Sequence, residues 1–413
     1  MTKARGRALL LSENAPVPAD RRVWNECRAL VQDGWEVVVA CAQDPVRAQA
    51  RFEILEGVEI NRYVLRPADG GVRGYLREYG QAAFRMRMLV RKLARDRHFD
   101  VVHAANPPDF LLATAVDLRR HGTRMIFDHH DLMPELFRTR YGGRAAYRAV
   151  LAGERMAFAL ADVVISTNES YRRVAIERGG KHPDDVFVVR NGPDLTRFTP
   201  VEPDLALRRG RDHLLAYLGI MGPQDGIDVA LQALARLRTR RDDWHAVFVG
   251  NGDVLEEMRL LASRLGLADV VEFAGWCGDD EIRRILSTAG VCLAPDPPSP
   301  LNDVSTMMKI PEYLAMGCPV VSFDLHESRV SAGPAALFAQ RPQPDSFADR
   351  VDALLDDPHR RAEMGRAGLH RAQTTLAWEF SVPVLHAAYE RAMAVKGAAR
   401  PWQRTASPGR RTP

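Results

Sequence analysis

Leu301-Asn-Asp-Val-Ser-Thr-Met-Met-Lys-Ile-Pro-Glu-Tyr-Leu-Ala-Met-Gly-Cys-Pro-Val-Val-Ser-Phe323 reads as a loop, a helix, a glycine stop and a buried strand. Ser305 and Thr306 are residue types that cap helix starts, and Gly317 is the type that ends one in a left-handed turn. The strand from Val320 has no polar alternation, so it belongs inside a parallel sheet covered on both faces. On the helix, Lys309 and Glu312 stand three residues apart and so on neighbouring turns. Peptide N–H groups and an ammonium at the opening of such a helix suit a diphosphate, and Glu312 suits sugar hydroxyls.

The same alternation of short apolar runs with helix-length amphipathic segments extends outward in both directions, as expected of strand–helix–strand units. In the first half the expected strands are 8–11, 36–40, 100–103, 124–128, 163–167 and 186–190. In the second they are 214–218, 245–250, 270–274, 291–294, 319–323 and 336–338. Helices are expected at 22–33, 75–97, 109–121, 145–160, 226–238, 254–265, 279–289 and 346–356. The charged, proline-bearing stretch 193–211 reads as a linker. The fold class is therefore α/β, two Rossmann-like doubly wound domains with ligands at the carboxyl ends of their strands. The expected division is 1–195, 196–375, a helix at 376–396 returning to the first domain, and a disordered tail at 397–413.

Bulk properties agree with two domains: 413 residues exceed one ordinary core. A net charge of +4 is small, so the whole molecule does not read as a nucleic-acid sponge, although charge can cluster locally, and no nucleic-acid partner is expected. The five cysteines are scattered without a Cys-x-x-Cys pair, which points to a reducing, cytoplasmic setting and away from structural zinc.

Several further marks accompany the opening stretch: Val188-Val-Arg-Asn-Gly-Pro193, Gly219-Ile-Met-Gly-Pro-Gln-Asp-Gly226, Val249-Gly-Asn-Gly-Asp253 and Glu272-Phe-Ala-Gly-Trp276. In this order and spacing, over roughly residues 7–395, the chain resembles GT-B glycosyltransferases of glycosyltransferase family 4. The resemblance implies two domains facing each other across a cleft. It also implies transfer of a sugar from a nucleotide-diphosphate donor, with retention at the anomeric carbon and no essential metal or other cofactor. Two departures stand out. Val304 occupies the place of a second family glutamate, and Met221, Gln224 and Asp225 stand where the family often carries phosphate-binding Arg and Lys.

On this reading Lys309 meets the donor diphosphate with Gly219, Gly222, Gly226, Ser305 and Thr306, and Glu312 meets its ribose. Gly250, Asn251 and Trp276 flank the nucleobase, and Asn191 touches the donor; core packing for Trp276 and a plain turn for Asn191 are the alternatives. On the first domain, Phe127-Asp-His-His-Asp-Leu-Met-Pro-Glu135 looks like segments of enzymes that build polysaccharides and lipid-linked sugars. His130 or Asp131 is the candidate for handling the acceptor proton. Arg21, Arg22, Asn106 and Glu135 are acceptor-side candidates. Zinc on His129, His130, Asp131 and Glu135 is disfavoured, because adjacent histidines diverge from an extended chain. His103 reads as structural. The helix 75–97 joins an apolar stripe to a cluster of cations, a combination that suits an anionic membrane face. Other readings are a GT-B binding protein with decayed catalysis and a nucleotide-sugar epimerase.

Overall fold

The structure, a computed structural model, describes residues 4–44, 49–65, 71–141, 143–340 and 342–395. The expected tail at 397–413 lies outside them. Contacts divide the chain into two units, the first from 1–138, 142–189 and 382–413, the second from 139–141 and 190–381.

The first unit is built on eight strands, β1 (Arg7–Ser12), β2 (Glu36–Ala42), β3 (Phe52–Leu55), β4 (Val58–Tyr63), β5 (Val101–Ala105), β6 (Arg124–His129), β7 (Val163–Ser166) and β8 (Val186–Val188). They lie in the order β3-β4-β2-β1-β5-β6-β7-β8. Among the described residues, only the β3–β4 pairing is antiparallel. Strands β1, β2, β5, β6 and β7 are buried almost throughout, which is why their sequences run Val/Ala/Leu/Ile without alternation. The second unit carries β9 (His213–Leu218), β10 (Trp244–Val249), β11 (Val271–Gly275), β12 (Val291–Ala294), β13 (Val320–Phe323) and β14 (Ala336–Ala339). All six run parallel, in the order β11-β10-β9-β12-β13-β14.

Among the parallel strands each order reverses once, between β1 and β5 in the first sheet and between β9 and β12 in the second. Such a reversal in strand order is the usual ligand position in open α/β sheets. In the second unit Tyr313 braces this fork. Its hydroxyl accepts the Leu218 N–H at 2.8 Å and donates to the Leu293 carbonyl at 3.1 Å, tying β9 to β12.

Four local expectations change. Strands β3 and β4 are additional. The helix expected at 75–97 runs Gly71–Leu93, and the one expected at 109–121 breaks into Leu111–Thr114 and a 3-10 turn at Val116–His121. The linker at 193–211 is not a tether, because Phe198 is buried in the second unit's core with Leu214 and Ile285. The C-terminal helix Val382–Ala394 belongs to the first unit, where its buried Tyr389 packs edge-on against Trp35.

Candidate functional site

In the second unit, Lys309 opens the helix Lys309–Ala315, and Gly317 closes it with a positive φ of 68°. Ser305 and Thr306 do not cap it. Met308 holds the cap position with no side-chain bond, and the Ser305 hydroxyl donates instead to the Leu301 carbonyl at 2.8 Å. Nor do Lys309 and Glu312 pair with each other. The Lys309 side chain runs into the β9/β12 fork, leaving the residue 6% exposed. Its ammonium donates to Asp296 Oδ1 at 2.6 Å, lies 3.6 Å from Asp225 Oδ1 and sits 4.9 Å from the centre of the Tyr217 ring. Burial alone would lower its pKa, but Asp296, Tyr217 and Asp225 more than reverse this, so the amine stays charged.

Glycine geometry explains the loop beside it. A Cβ on Gly226 would lie 2.2 Å from the Pro295 carbonyl oxygen, and one on Gly250 would lie 1.8 Å from that of Gly219. Gly219, Gly226 and Gly250 also have φ of 156°, 68° and 133°. Gly226 and Gly250 let the loops after β9, β10 and β12 close on one another, so backbone contact requires these two, while Gly219 is held by its φ and by the Tyr217 and Lys309 side chains. Gly222 donates its N–H to Asp225 Oδ2 at 2.9 Å.

Glu312 faces Arg197 at 4.0 Å, and Arg197 also pairs with Asp279 at 2.7 Å. Burial outweighs the arginine and pushes the Glu312 carboxyl up to about 7. Trp276 is 76% exposed beyond the end of β11, which removes core packing as its explanation. Asn251 accepts the Gly252 N–H on its own Oδ1 at 2.8 Å, and its carbonyl takes the Met221 N–H at 3.0 Å. Asn191 precedes Gly192, whose Cβ would collide with the Leu376 carbonyl at 2.2 Å.

In the first unit the carboxyl end of β6 carries His129, His130 and Asp131. The two histidines diverge as expected. His129 points into the core, its Nε2 3.3 Å from Glu154 and its ring against Phe158. His130 turns to the rim, with Nδ1 3.1 Å from Asp128 Oδ2. Burial opposes the imidazolium, but the Asp128 carboxylate outweighs it and raises the pKa to about 9. Asp131 stands beside it with its pKa raised by burial.

Three acceptor-side candidates are corrected. Arg22 is buried and grips Asp128 with two bonds of 2.7 Å, with Glu26 3.3 Å away. Its role is internal: it compensates a carboxylate inside the sheet. Asn106 is a staple, its amide oxygen accepting the N–H groups of His130 and Asp131 at 2.9 and 3.0 Å. Its amide nitrogen donates to Asp109 and to the Asp131 carbonyl. Glu135 is engaged by Arg178 at 2.5 Å, which also holds the buried Glu154 at 2.7 Å. Arg21 is exposed at the start of the helix Arg21–Gln32, which Asp20 caps by accepting the Val23 N–H.

Behind this rim, His103 Nδ1 is 2.9 Å from the Tyr389 hydroxyl, and its Nε2 is 3.6 Å from Glu26. Burial lowers the His103 pKa to about 4 and raises that of Glu26 to about 8. Glu26, His103 and Asp128 bring ligand atoms within 4.8 Å of one another. The Arg22 guanidinium already supplies the positive charge there, so the donor set does not suit a dication. Asp225, Asp296, Arg197, Asp128 and Glu26 were not singled out from sequence for these roles. Isolated acids and arginines carry no local signature, and the pairs that place them in the site, Lys309 with Asp296 and Asp225, Glu312 with Arg197, Arg22 with Asp128 and His103 with Glu26, are 13 to 115 residues apart.

Comparison with known proteins follows the same division. A family model described as Glycosyltransferase Family 4 matches residues 19–197, and one described as Glycosyl transferases group 1 matches residues 212–357. A D-inositol 3-phosphate glycosyltransferase of Thermobifida fusca is 31% identical over 256 residues, 58% of each chain. One from Salinispora tropica is 27% identical over 369 residues, 83% of this chain and 74% of that one. The match spans 58% and 59% of the first two such relatives. Among solved structures, a sucrose-phosphate synthase from Thermosynechococcus elongatus superposes with a TM-score of 0.76 at 19% identity, covering 95% of this chain and all of that one. Anabaena HepE, solved in complex with UDP-glucose, gives 0.68 at 15% identity over 94% of this chain and all of its own. These neighbours share the GT-B fold.

Proposed function

Because the chain belongs to the family 4 glycosyltransferases, we propose that it moves a sugar from a nucleoside-diphosphate donor to a hydroxyl acceptor with retention at the anomeric carbon. One observation carries the donor half: a buried, charged Lys309 meets a glycine-tight loop at the switch point of the second sheet. An ammonium held there opposes the charge that grows on the leaving diphosphate, a contribution of roughly 3–4 kcal/mol for a well-placed donor. Exposed Trp276 gives the base an aromatic face, and Glu312 gives the ribose a carboxyl group. No essential metal enters this scheme, so a chelator leaves turnover unchanged.

On the first unit, His130 and Asp131 divide the proton work. A pKa of about 9 makes His130 a hydrogen-bond donor at neutral pH rather than a base. Asp131 is then the group that receives or steers the acceptor's proton. The acceptor proposed is a saccharide, a lipid-linked sugar or a small polyol; the relatives' names concern an inositol phosphate.

No described helix is long and apolar enough to cross a membrane. We propose reversible docking through the helix Gly71–Leu93, which exposes Phe84 (66%) and Met88 (48%) beside exposed Arg85, Lys92 and Arg95. The basic cluster is smaller than its composition suggests, because Arg87 and Arg91 share Asp117, and Arg97 is held by Glu59. Phe84→Glu should lower co-sedimentation with phosphatidylserine-containing vesicles several-fold and leave neutral vesicles unaffected. Equal sedimentation of both proteins would remove the membrane role.

A thermal-shift panel of nucleoside diphosphates and nucleotide sugars tests the central reading, since a ligand at 100 times its Kd stabilises the fold by about 2.7 kcal/mol. One nucleotide class should raise Tm, and its sugar conjugate should then turn over with an acceptor. If no nucleotide moves Tm, the enzyme reading falls and the binding-protein alternative falls with it.

A further inference from the structure

The contacts that a diphosphate would take in the second unit are already taken. Asp225 Oδ2 accepts the Gly222 N–H at 2.9 Å and the Gln224 side-chain amide at 3.1 Å, while Oδ1 faces the Lys309 ammonium at 3.6 Å. One peptide N–H from the loop after β9 and one lysine are the donors that a phosphoryl group would seek at a strand's carboxyl end. We infer that Asp225 is a resident competitor for the donor's diphosphate, a carboxylate that occupies the phosphate position and must give it up when the donor binds. This rests on the donor reading proposed above.

The charge count supports it. Two carboxylates, Asp296 and Asp225, face the Lys309 ammonium, so acidic groups outnumber the cation at the point meant to receive an anion. The two are not equivalent. Asp296 is 1% exposed, stands just past Pro295 after the end of β12, and makes the short bond to Lys309. It is the permanent counter-ion of a buried amine and keeps that amine charged. Asp225 lies in the loop between β9 and the helix Ile227–Arg238, with a partly exposed side chain. Its ties are a peptide N–H, the amide of its sequence neighbour and a long ionic contact. Each can pass to a phosphoryl oxygen without leaving a donor buried and unmatched. Removing its charge should therefore favour an incoming anion. Asn keeps the side-chain oxygen that accepts the Gly222 N–H, so the loop retains its turn. Asp225 is a specificity-determining residue by this account: it lowers affinity for any diphosphate, and only ligands with enough additional contacts displace it.

Calorimetric titration of the full chain with inorganic pyrophosphate isolates this effect from the base and the sugar. Asp225→Asn should bind pyrophosphate roughly ten-fold more tightly than wild type, between the water-screened and protein-screened limits for one charge near 5 Å. Affinity for the uncharged nucleoside of the preferred donor should not change. Equal or weaker pyrophosphate binding by Asp225→Asn overturns the inference. A second variant, Lys309→Met with Asp296→Asn, removes the buried ion pair as a unit and should abolish pyrophosphate binding. If that variant binds as well as wild type, the placement of the diphosphate at Lys309 fails instead. If neither wild type nor Asp225→Asn binds pyrophosphate, both fail.

Discussion

Arg22 shows what a single side chain is asked to do inside the first sheet. It reaches from the helix Arg21–Gln32 to Asp128 on β6, and its remaining nitrogen donates to the Val189 carbonyl at 3.0 Å. Burial opposes the Asp128 anion, but Arg22 and His130 outweigh it and hold its pKa far below the ordinary carboxylate range. Loss of the arginine leaves that charge in a dry interior with the His130 ring beside it. Arg22→Met should cost about 3–5 kcal/mol, read as a drop in the denaturant midpoint, and adding Asp128→Asn should recover a large part of it. A loss below about 1 kcal/mol would show that solvent reaches Asp128. The residue is legible in the sequence only as an arginine after a strand. Its inward turn depends on a carboxylate 106 positions later, which no local pattern announces.

At the level of elements, the loops after β9 and β10 are joined through backbone hydrogen bonds, Met221 N–H to the Asn251 carbonyl and Val254 N–H to the Met221 carbonyl. Gly250→Ala would push a methyl group into the Gly219 carbonyl and also force an L-residue to a φ of 133°. The conformation alone costs about 1–3 kcal/mol. The variant should unfold at lower temperature and lose nucleotide stabilisation together, whereas Gly266→Ala, at an open position, should keep nucleotide binding. Retained binding in Gly250→Ala would mean the two loops separate without consequence. Central strands were readable because burial on both faces leaves uninterrupted apolar runs such as Val37–Val-Val-Ala40. Strands β3 and β4 were not, because Phe52-Glu-Ile-Leu55 at the sheet edge and Val58-Glu-Ile-Asn-Arg-Tyr63 beside it mix polar with apolar positions. The Lys309 helix was readable, but its register was not. It begins at the lysine itself, so Lys309 points to Asp296 and Glu312 to Arg197.

Across the whole molecule the raised carboxyl groups set a pH response. Glu26 titrates near 8, and Glu13, Asp109 and Glu312 near 7, each chiefly because burial disfavours the anion. Unfolded, these acids release their protons near their ordinary values, so between pH 6 and 8.5 the folded state binds more protons than the unfolded one. Stability therefore falls as pH rises through that window. His130 acts in the same direction, since its pKa of about 9 exceeds its unfolded value. His103 acts oppositely: with a pKa of about 4, it adds stability between pH 4 and 6.5. Tm should be lower at pH 8.5 than at pH 6, and Glu26→Gln, which mimics the protonated acid, should shrink that difference. A Tm that is flat over this range, or a slope unchanged by Glu26→Gln, would contradict the burial account.

The first unit has its eight described strands by Val188 but lacks the helix Val382–Ala394 until the second unit has been passed. Residues 190–381 intervene, and their two ends meet where the Ser381 hydroxyl donates to the Arg190 carbonyl at 2.9 Å. On a ribosome, almost every segment of the inserted unit emerges before the host sheet receives Tyr389 to cover Trp35 and His103. The domain whose synthesis starts first is thus the one whose folding finishes last, and a nascent chain halted short of position 382 would carry an open seam on that sheet.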